Sequence, residues 1–284
     1  MEQRVLGASG TSASLLGLGG NRLLATSDRF AEAQQLVSTA LASGINYFDT
    51  APLYQDSELY LGRSLGSQRH SVFLATKTHA RDKASAINQL EESLLRLKTD
   101  YVDLWQLHDV RTPSEVEQIF GPGGAIEALA HAREAGKVRL LGVTGHRDPE
   151  MISRCLERFD FDIVMVPVNA AEPQYRSFLD SVIPAARARG TGIVAMYPYC
   201  GGQIPQLAHV ETVEPFLRFT LSQDIDVALV GCDSMEQLDA NIQFAERFVP
   251  MPEEEQRSLV EMLRPDAMSL MYYKGLAAHD KEDQ

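Results

Sequence analysis

Asp49, Tyr54, Lys77 and His108 supply a carboxylate, a phenol, an amine and an imidazole. Each sits at the end of a short apolar run, or just after one. Asp49 closes Ile45-Asn46-Tyr47-Phe48-Asp49, and Tyr54 follows five residues on. Lys77 closes Val72–Lys77, and His108 closes Tyr101–His108. Taken singly they are ordinary: a turn-capping aspartate, a solvated lysine, a structural histidine, a packing tyrosine. Together they suggest proton transfer. Apolar neighbours desolvate Asp49 and Lys77, and a buried charge is normally relieved by pairing. A Lys77 cation beside Tyr54 would lower the phenol's pKa and make it a proton donor near neutral pH. His108 would orient a carbonyl oxygen.

Eight β-rich runs are needed to place these groups, and the sequence has eight. They are Ser14–Gly19, Ile45–Asp49, Val72–Lys77, Tyr101–His108, Val138–Thr144, Asp162–Asn169, Thr191–Tyr197 and Val227–Gly231. Stretches of helical spacing separate them. Asp28–Ser43 aligns Phe30, Ala33, Leu36, Val37 and Ala40, and Asp82–Leu97 aligns Ala86, Leu90, Leu94 and Leu97. Other helices are expected after Asp148-Pro149 and after Ser234. Strand–helix alternation implies parallel pairing, because a parallel connection needs a crossover. Eight such units close into a (β/α)8 barrel, an α/β fold whose chemistry gathers at the carboxyl ends of the strands. A doubly wound sheet is the competitor, but no GxGxxG follows the first run. The first 13 residues, with Gly7-Ala8-Ser9-Gly10, suit a hairpin over the barrel floor. The whole of 1–284 reads as one barrel domain, with a frayed tail from about 277.

Composition narrows the partners. Of 284 residues, 44% are hydrophobic and 23% charged, which fits a soluble globular protein. The net charge is −13, so nucleic acid and anionic membranes are poor partners. Cys155, Cys200 and Cys232 form no CxxC pair, so no metal site is expected and free thiols fit a reducing compartment. The opening residues Met1–Val5 lack the build of an export signal, and no run is long enough to span a bilayer. A cytoplasmic protein is the expectation, with its oligomeric state open.

The motifs resemble those of the aldo-keto reductase family. Gly44–Tyr54, GINYFDTAPLY, is similar to a family signature, continued by Ser57-Glu58 and Leu61-Gly62. Thr76-Lys77, the run Asp100–His108, Gly142–His146, and Val227–Gly231 with Glu236 and Asn241 match further landmarks. The resemblance spans about Arg4 to Phe248. It implies hydride transfer between a nicotinamide dinucleotide and a small carbonyl or alcohol substrate. It also implies Tyr54 as general acid, His108 placing the carbonyl, and Lys77 with Asp49 tuning Tyr54.

On the cofactor side the sequence departs from the family pattern. Thr144 stands for a serine that contacts the nicotinamide amide. Gly145 and Met165 replace an asparagine and a glutamine, with Asn169 either compensating or capping the next loop. Tyr197 is read as stacking on the nicotinamide or as packing alone. Gly201 would bring backbone N–H groups to the pyrophosphate. Gly231, Asp233, Ser234, Gln237 and Asn241 belong to the last strand and the helix after it, where Ser234 would cap a phosphate-binding N-terminus and Asn241 would meet the adenine. NADP(H) is the family default. Asp233 and Gln237 occupy positions where basic residues are expected, so NAD(H) is also a candidate, because a carboxylate accepts from a free ribose hydroxyl and repels a phosphate. Arg22 or Arg218 would supply a missing cation. His79 and His146 are further candidates at strand ends.

Two other functions remain open at this level: a redox-neutral lyase or epimerase with a retained dinucleotide, and a non-catalytic dinucleotide-binding protein. The segment 264–284, with Met268, Leu270, Met271, Tyr272 and Tyr273, either folds over the mouth, packs on a neighbouring subunit, or forms a final helix on the wall.

Overall fold

The computed structural model describes residues 1–275. Two short strands come first, β1 (Gln3–Val5) and β2 (Ser12–Ser14), paired antiparallel as the expected hairpin. Eight parallel strands follow: β3 (Leu16–Gly19), β4 (Tyr47–Asp49), β5 (Phe73–Thr78), β6 (Val102–Leu107), β7 (Val138–Thr144), β8 (Ile163–Pro167), β9 (Gly192–Met196) and β10 (Val227–Val230). They close in chain order, with β10 pairing β3. The run Ser14–Gly19 is split between hairpin and barrel. Ser14 ends β2 and its Oγ donates to the Leu16 carbonyl at 2.7 Å, so the chain turns before β3 begins.

The helices are α1 (Phe30–Ala42), α2 (Ser57–Leu65), α3 (Lys83–Leu97), α4 (Pro113–Phe120), α5 (Ala125–Glu134), α6 (Pro149–Arg158), α7 (Phe178–Ala188), α8 (Glu214–Leu221), α9 (Met235–Glu246), α10 (Glu253–Leu263) and α11 (Ala267–Leu270). Their starts follow capping chemistry. Asp82, Asp148 and Ser234 each accept a first-turn N–H, from Ser85, Glu150 and Gln237 respectively. The connection after β6 holds α4, started by the Thr112 cap and Pro113. None of the helices among the described residues is long and apolar enough to cross a membrane.

Strands buried on both faces read as nearly continuous apolar runs. One face fills the barrel: Tyr47, Phe73, Ala75, Leu104, Ile163, Met165, Val194, Val227 and Leu229 pack with Leu6 and Ala13 of the hairpin segment. The hairpin therefore stoppers the floor, and Tyr47 and Phe73 stack above it at 4.9 Å. The other face packs on the helices, where Ala33, Leu36, Val37 and Ala40 of α1 are buried.

The Ser57-Glu58 and Leu61-Gly62 signature is structural in this fold. Buried Glu58 accepts from Thr76 Oγ1 at 2.7 Å and from Arg96 Nε at 2.6 Å, which ties α2 to β5 and α3. Gly62 lets α2 and α3 touch: a Cβ there would lie 2.3 Å from the Arg96 carbonyl oxygen. Gly62→Ala is expected to lower unfolding free energy by about 1–3 kcal/mol, read as a drop in the urea midpoint, because backbone cannot yield as a side chain does.

Candidate active site

Registry across three neighbouring strands assembles the charged floor of the mouth. Asp49 pairs with Ala75, and Lys77 pairs with Gln106. Lys77 Nζ donates to Asp49 Oδ1 and, at 2.9 Å, to the Thr50 carbonyl. Gln106 Nε2 donates to Asp49 Oδ2 at 3.2 Å. Both charged side chains are about 98% or more removed from solvent, at 1% and 2% exposure. Burial pushes the Asp49 carboxyl up and the Lys77 amine down, and each opposes the other's shift. Gly20 is packed against the backbone just after this strand end: a Cβ would sit 2.3 Å from Ser57 Oγ and 2.7 Å from the Asp49 main-chain oxygen.

Tyr54 and His108 join the pair at the same cavity. Lys77 Nζ lies 5.0 Å from the Tyr54 ring centre, and the Tyr54 and His108 rings meet edge to face at 5.7 Å. The expected lowering of the Tyr54 pKa is not found. Burial, reinforced by Asp49 and Asp109, raises it well above the usual tyrosine value. Lys77, held on Asp49, does not offset that rise. Burial, with the Lys77 charge, holds His108 well below the usual imidazole range. Both residues are thus uncharged hydrogen donors at neutral pH. The His108 Nδ1 is buried without a partner among the described residues, so no neighbour fixes its tautomer.

The cavity measures about 970 Å³ and runs from this cluster across the mouth to Asn241 and Phe244. Thr144, Tyr197, Gly201, Gly231, Asp233, Gln237 and Asn241 line it; Met165, Met196 and Arg22 do so as well. Ser234 does not; it caps α9 just behind the wall. Asn169 is also absent from the wall. Its amide donates to the Tyr197 carbonyl at 3.1 Å and the Tyr273 hydroxyl at 3.0 Å, while its oxygen accepts from the N–H groups of Ala171 and Glu172. That uses its full capacity, so it caps the loop and offers nothing to a ligand. Gly145 has no room for an asparagine side chain: a Cβ would meet Ile152 Cδ1 at 2.6 Å. Arg218 is turned outward to the Val249 carbonyl and Glu255.

At the far wall Gly201 and Gly202 hold φ of +64° and +84°, and other side chains occupy the space beside them: a Cβ at Gly201 would lie 2.2 Å from the Tyr272 hydroxyl, and one at Gly231 2.7 Å from Arg22 Cγ. Arg22 lies along this stretch, donating to the Gly201 carbonyl and lying 3.9 Å from Asp233. The capped N-terminus of α9 borders the same end.

Several contributors were not visible in the sequence. Gln106 could have been found from its position, a polar residue in an otherwise apolar strand. Asp109, Arg81 and Glu115 lie on the substrate side of the cavity. So do His79 and His146. The described part of the chain end forms a short final helix, Ala267–Leu270, packed on α8 and α10, and then backs the mouth from behind: Tyr273 stacks on the wall residue Tyr197 at 4.8 Å, and its carbonyl meets His146 Nδ1 at 3.0 Å. Its anchor is a fully buried pair in which Lys274 Nζ donates to Glu172 at 2.9 Å and to the carbonyls of Tyr175 and Arg176. Residues 277–284 lie outside the described residues. Because the Tyr54 pKa is raised in the free protein, ultraviolet titration of wild type minus Tyr54→Phe is expected to show no tyrosinate signal below about pH 10.

The aldo/keto reductase family model matches residues 15–211. L-galactose dehydrogenase of Arabidopsis thaliana is 28% identical, covering 85% of this chain and 87% of its own. 6-Dehydroglucose reductase of Novosphingobium aromaticivorans is 35% identical over 162 residues, half of each chain. The holo form of an aldo-keto reductase from Bacillus halodurans superposes with a TM-score of 0.76 at 26% identity, covering 93% of this chain and 96% of that one. A closed barrel, a family match over most of its strands and a structural neighbour of nearly the same extent agree: this chain belongs to the aldo-keto reductase family of nicotinamide-dependent oxidoreductases.

Proposed function

We propose that this protein moves a hydride between NAD(H) and a small, hydroxylated carbonyl or alcohol, with Tyr54 giving and taking the proton. The observation that carries the reading is the convergence of Tyr54, His108 and the buried Lys77–Asp49 pair at one end of the cavity. The bound dinucleotide would supply or accept the hydride at the carbonyl carbon. The protein's part is proton transfer and charge. Tyr54 stays a phenol until a carbonyl oxygen gains negative charge; it then passes its proton to that oxygen. Burial and Asp49 disfavour the phenolate that this leaves, with Lys77 Nζ 5.0 Å from its ring centre, so reprotonation of Tyr54 follows the transfer. Neutral His108 donates to the same oxygen without adding charge.

Thr144, Tyr197, Gly201, Gly231, Gln237 and Asn241 would hold the dinucleotide. Asp233 supports a preference for NAD(H). Together with Glu236 it lines the end of the cavity next to α9, and Arg22 is the cation nearest to it, already facing Asp233. A 2′-phosphate would meet two carboxylates there, whereas a free hydroxyl has an acceptor. The substrate side is polar, with His79, Arg81, Arg111 and Glu115 on its wall. Two relatives are named for reactions of galactose and of a glucose derivative. Both points favour a sugar-like substrate over an apolar aldehyde.

Fluorescence titration through Trp105 is expected to give tighter binding for NADH than for NADPH; the opposite order would refute the role of Asp233. Tyr54→Phe is expected to bind NADH as the wild type does and to lose turnover by about 10²–10⁴-fold. Turnover equal to wild type in that variant would remove Tyr54 from the chemistry. A cofactor that never exchanges or oxidises would instead favour the redox-neutral reading.

A further inference from the structure

Arg81 is a buried cation that the mechanism above leaves unused. It stands in the connection between β5 and α3, and its side chain is 10% exposed. Burial works against its charge, and Glu115 and Asp109 support it. Nη2 donates to two consecutive main-chain oxygens, that of His108 at 2.8 Å and that of Asp109 at 2.9 Å. Glu115 stands 3.5 Å away. Nε and Nη1 are buried with no hydrogen-bond partner among the described residues. The hydrogen bonds of this guanidinium therefore go to backbone and not to the cavity. A buried cation with two nitrogens unmatched is a poor device for stability alone. What distinguishes it is the residue it holds.

We propose that Arg81 is a positioning residue that aims the His108 imidazole by clamping the carbonyls of His108 and Asp109. The inference rests on the oxidoreductase reading above and deepens it. The ring does little to anchor itself. Its Nδ1 is buried without a partner among the described residues, and Tyr54 meets it edge to face. Its aim must come from the main chain, because backbone φ and ψ select the rotamers a side chain can adopt. Strand β6 ends at Leu107, so strand registry no longer holds His108. The His108 N–H is tied to the Thr78 carbonyl at 2.8 Å, and Arg81 ties the other side. The chain resists the turn that follows. Asp109 has φ +53°, a left-handed conformation that costs a non-glycine residue. Its N–H reaches Thr144 Oγ1 at 3.2 Å, and its carbonyl is the second oxygen on Arg81. The Arg81 charge also adds, behind burial and Lys77, to what keeps His108 neutral.

The test uses the purified full chain with NADH and glyceraldehyde as the probe aldehyde. Arg81→Gln is expected to lower kcat by about 10²-fold with KM near wild type, because a misaimed donor costs turnover more than binding. Arg81→Lys, whose amine can serve one carbonyl, should recover about 10-fold of that loss. NADH binding through Trp105 shows that each variant is folded. Arg69→Gln is the comparator. Arg69 makes the same kind of clamp at the amino ends of the strands, on the carbonyls of Val72 and Tyr101. Its loss should lower the urea midpoint and leave kcat unchanged. A second readout needs no turnover. With histidine labelled at ring Cε1, the His108 resonance, identified by its loss in His108→Asn, should shift in Arg81→Gln and stay in place in Arg69→Gln. An unmoved His108 resonance in Arg81→Gln overturns the proposal, as does an equal fall in kcat in the two glutamine variants. Wild type that reduces no aldehyde or sugar with either cofactor removes the oxidoreductase reading and this proposal with it, a result distinct from an active wild type whose resonance does not move.

Discussion

The mouth of this barrel is organised around one buried ion pair. Asp49 and Lys77 come from adjacent strands and are almost wholly removed from water. Neither is tolerable there alone, since an uncompensated charge at such a site costs several kcal/mol, about 3–5 when one partner is removed. The pair dictates much of its surroundings. Gln106 must satisfy the second Asp49 oxygen, and the Thr50 carbonyl must accept a Lys77 hydrogen bond. Tyr54 lies beside this pair, with Lys77 Nζ 5.0 Å from its ring centre.

The remaining electrostatics follow the same logic of matched charge. His108 is kept neutral by its neighbours, Asp109 is kept charged by His146 and Arg111, and Lys274 enters the protein only because Glu172 and two carbonyls receive it. The acidic overall charge plays no visible part in these local arrangements. What matters is that each of these buried charges has a partner within hydrogen-bond reach.

The fold was legible because strand and helix periods alternate cleanly from Leu16 onward and caps mark the helix starts. Asp49, Lys77 and His108 were legible because strand ends in a parallel barrel share one mouth. The Tyr54 pKa was misread: the Asp49–Lys77 pairing was foreseen, but not how far burial of the phenol would outweigh any help from the lysine. Asn169 and Ser234 were placed one step too close to the cavity, because strand-end position does not reveal which side chains the backbone will claim. Gly145 is explained only by Ile152, a packing partner on a different element. Asp109 escaped notice because its left-handed backbone and its pairing with Arg111 and His146 are made by the fold and not by a motif.

The wall and the floor of the site are built from different parts of the chain. The floor is locked by strand registry, so a change there disturbs the barrel itself. The wall residue Tyr197 is backed by Tyr273, whose segment is held by a buried clasp between Lys274 and Glu172. Tyr273 also meets His146 through its carbonyl, so the clasp sets two residues of the cavity wall from the chain end. In evolutionary terms the two parts differ in tolerance: a change in the floor must keep a buried ion pair matched, whereas a change in the chain end reshapes the wall through stacking and one hydrogen bond.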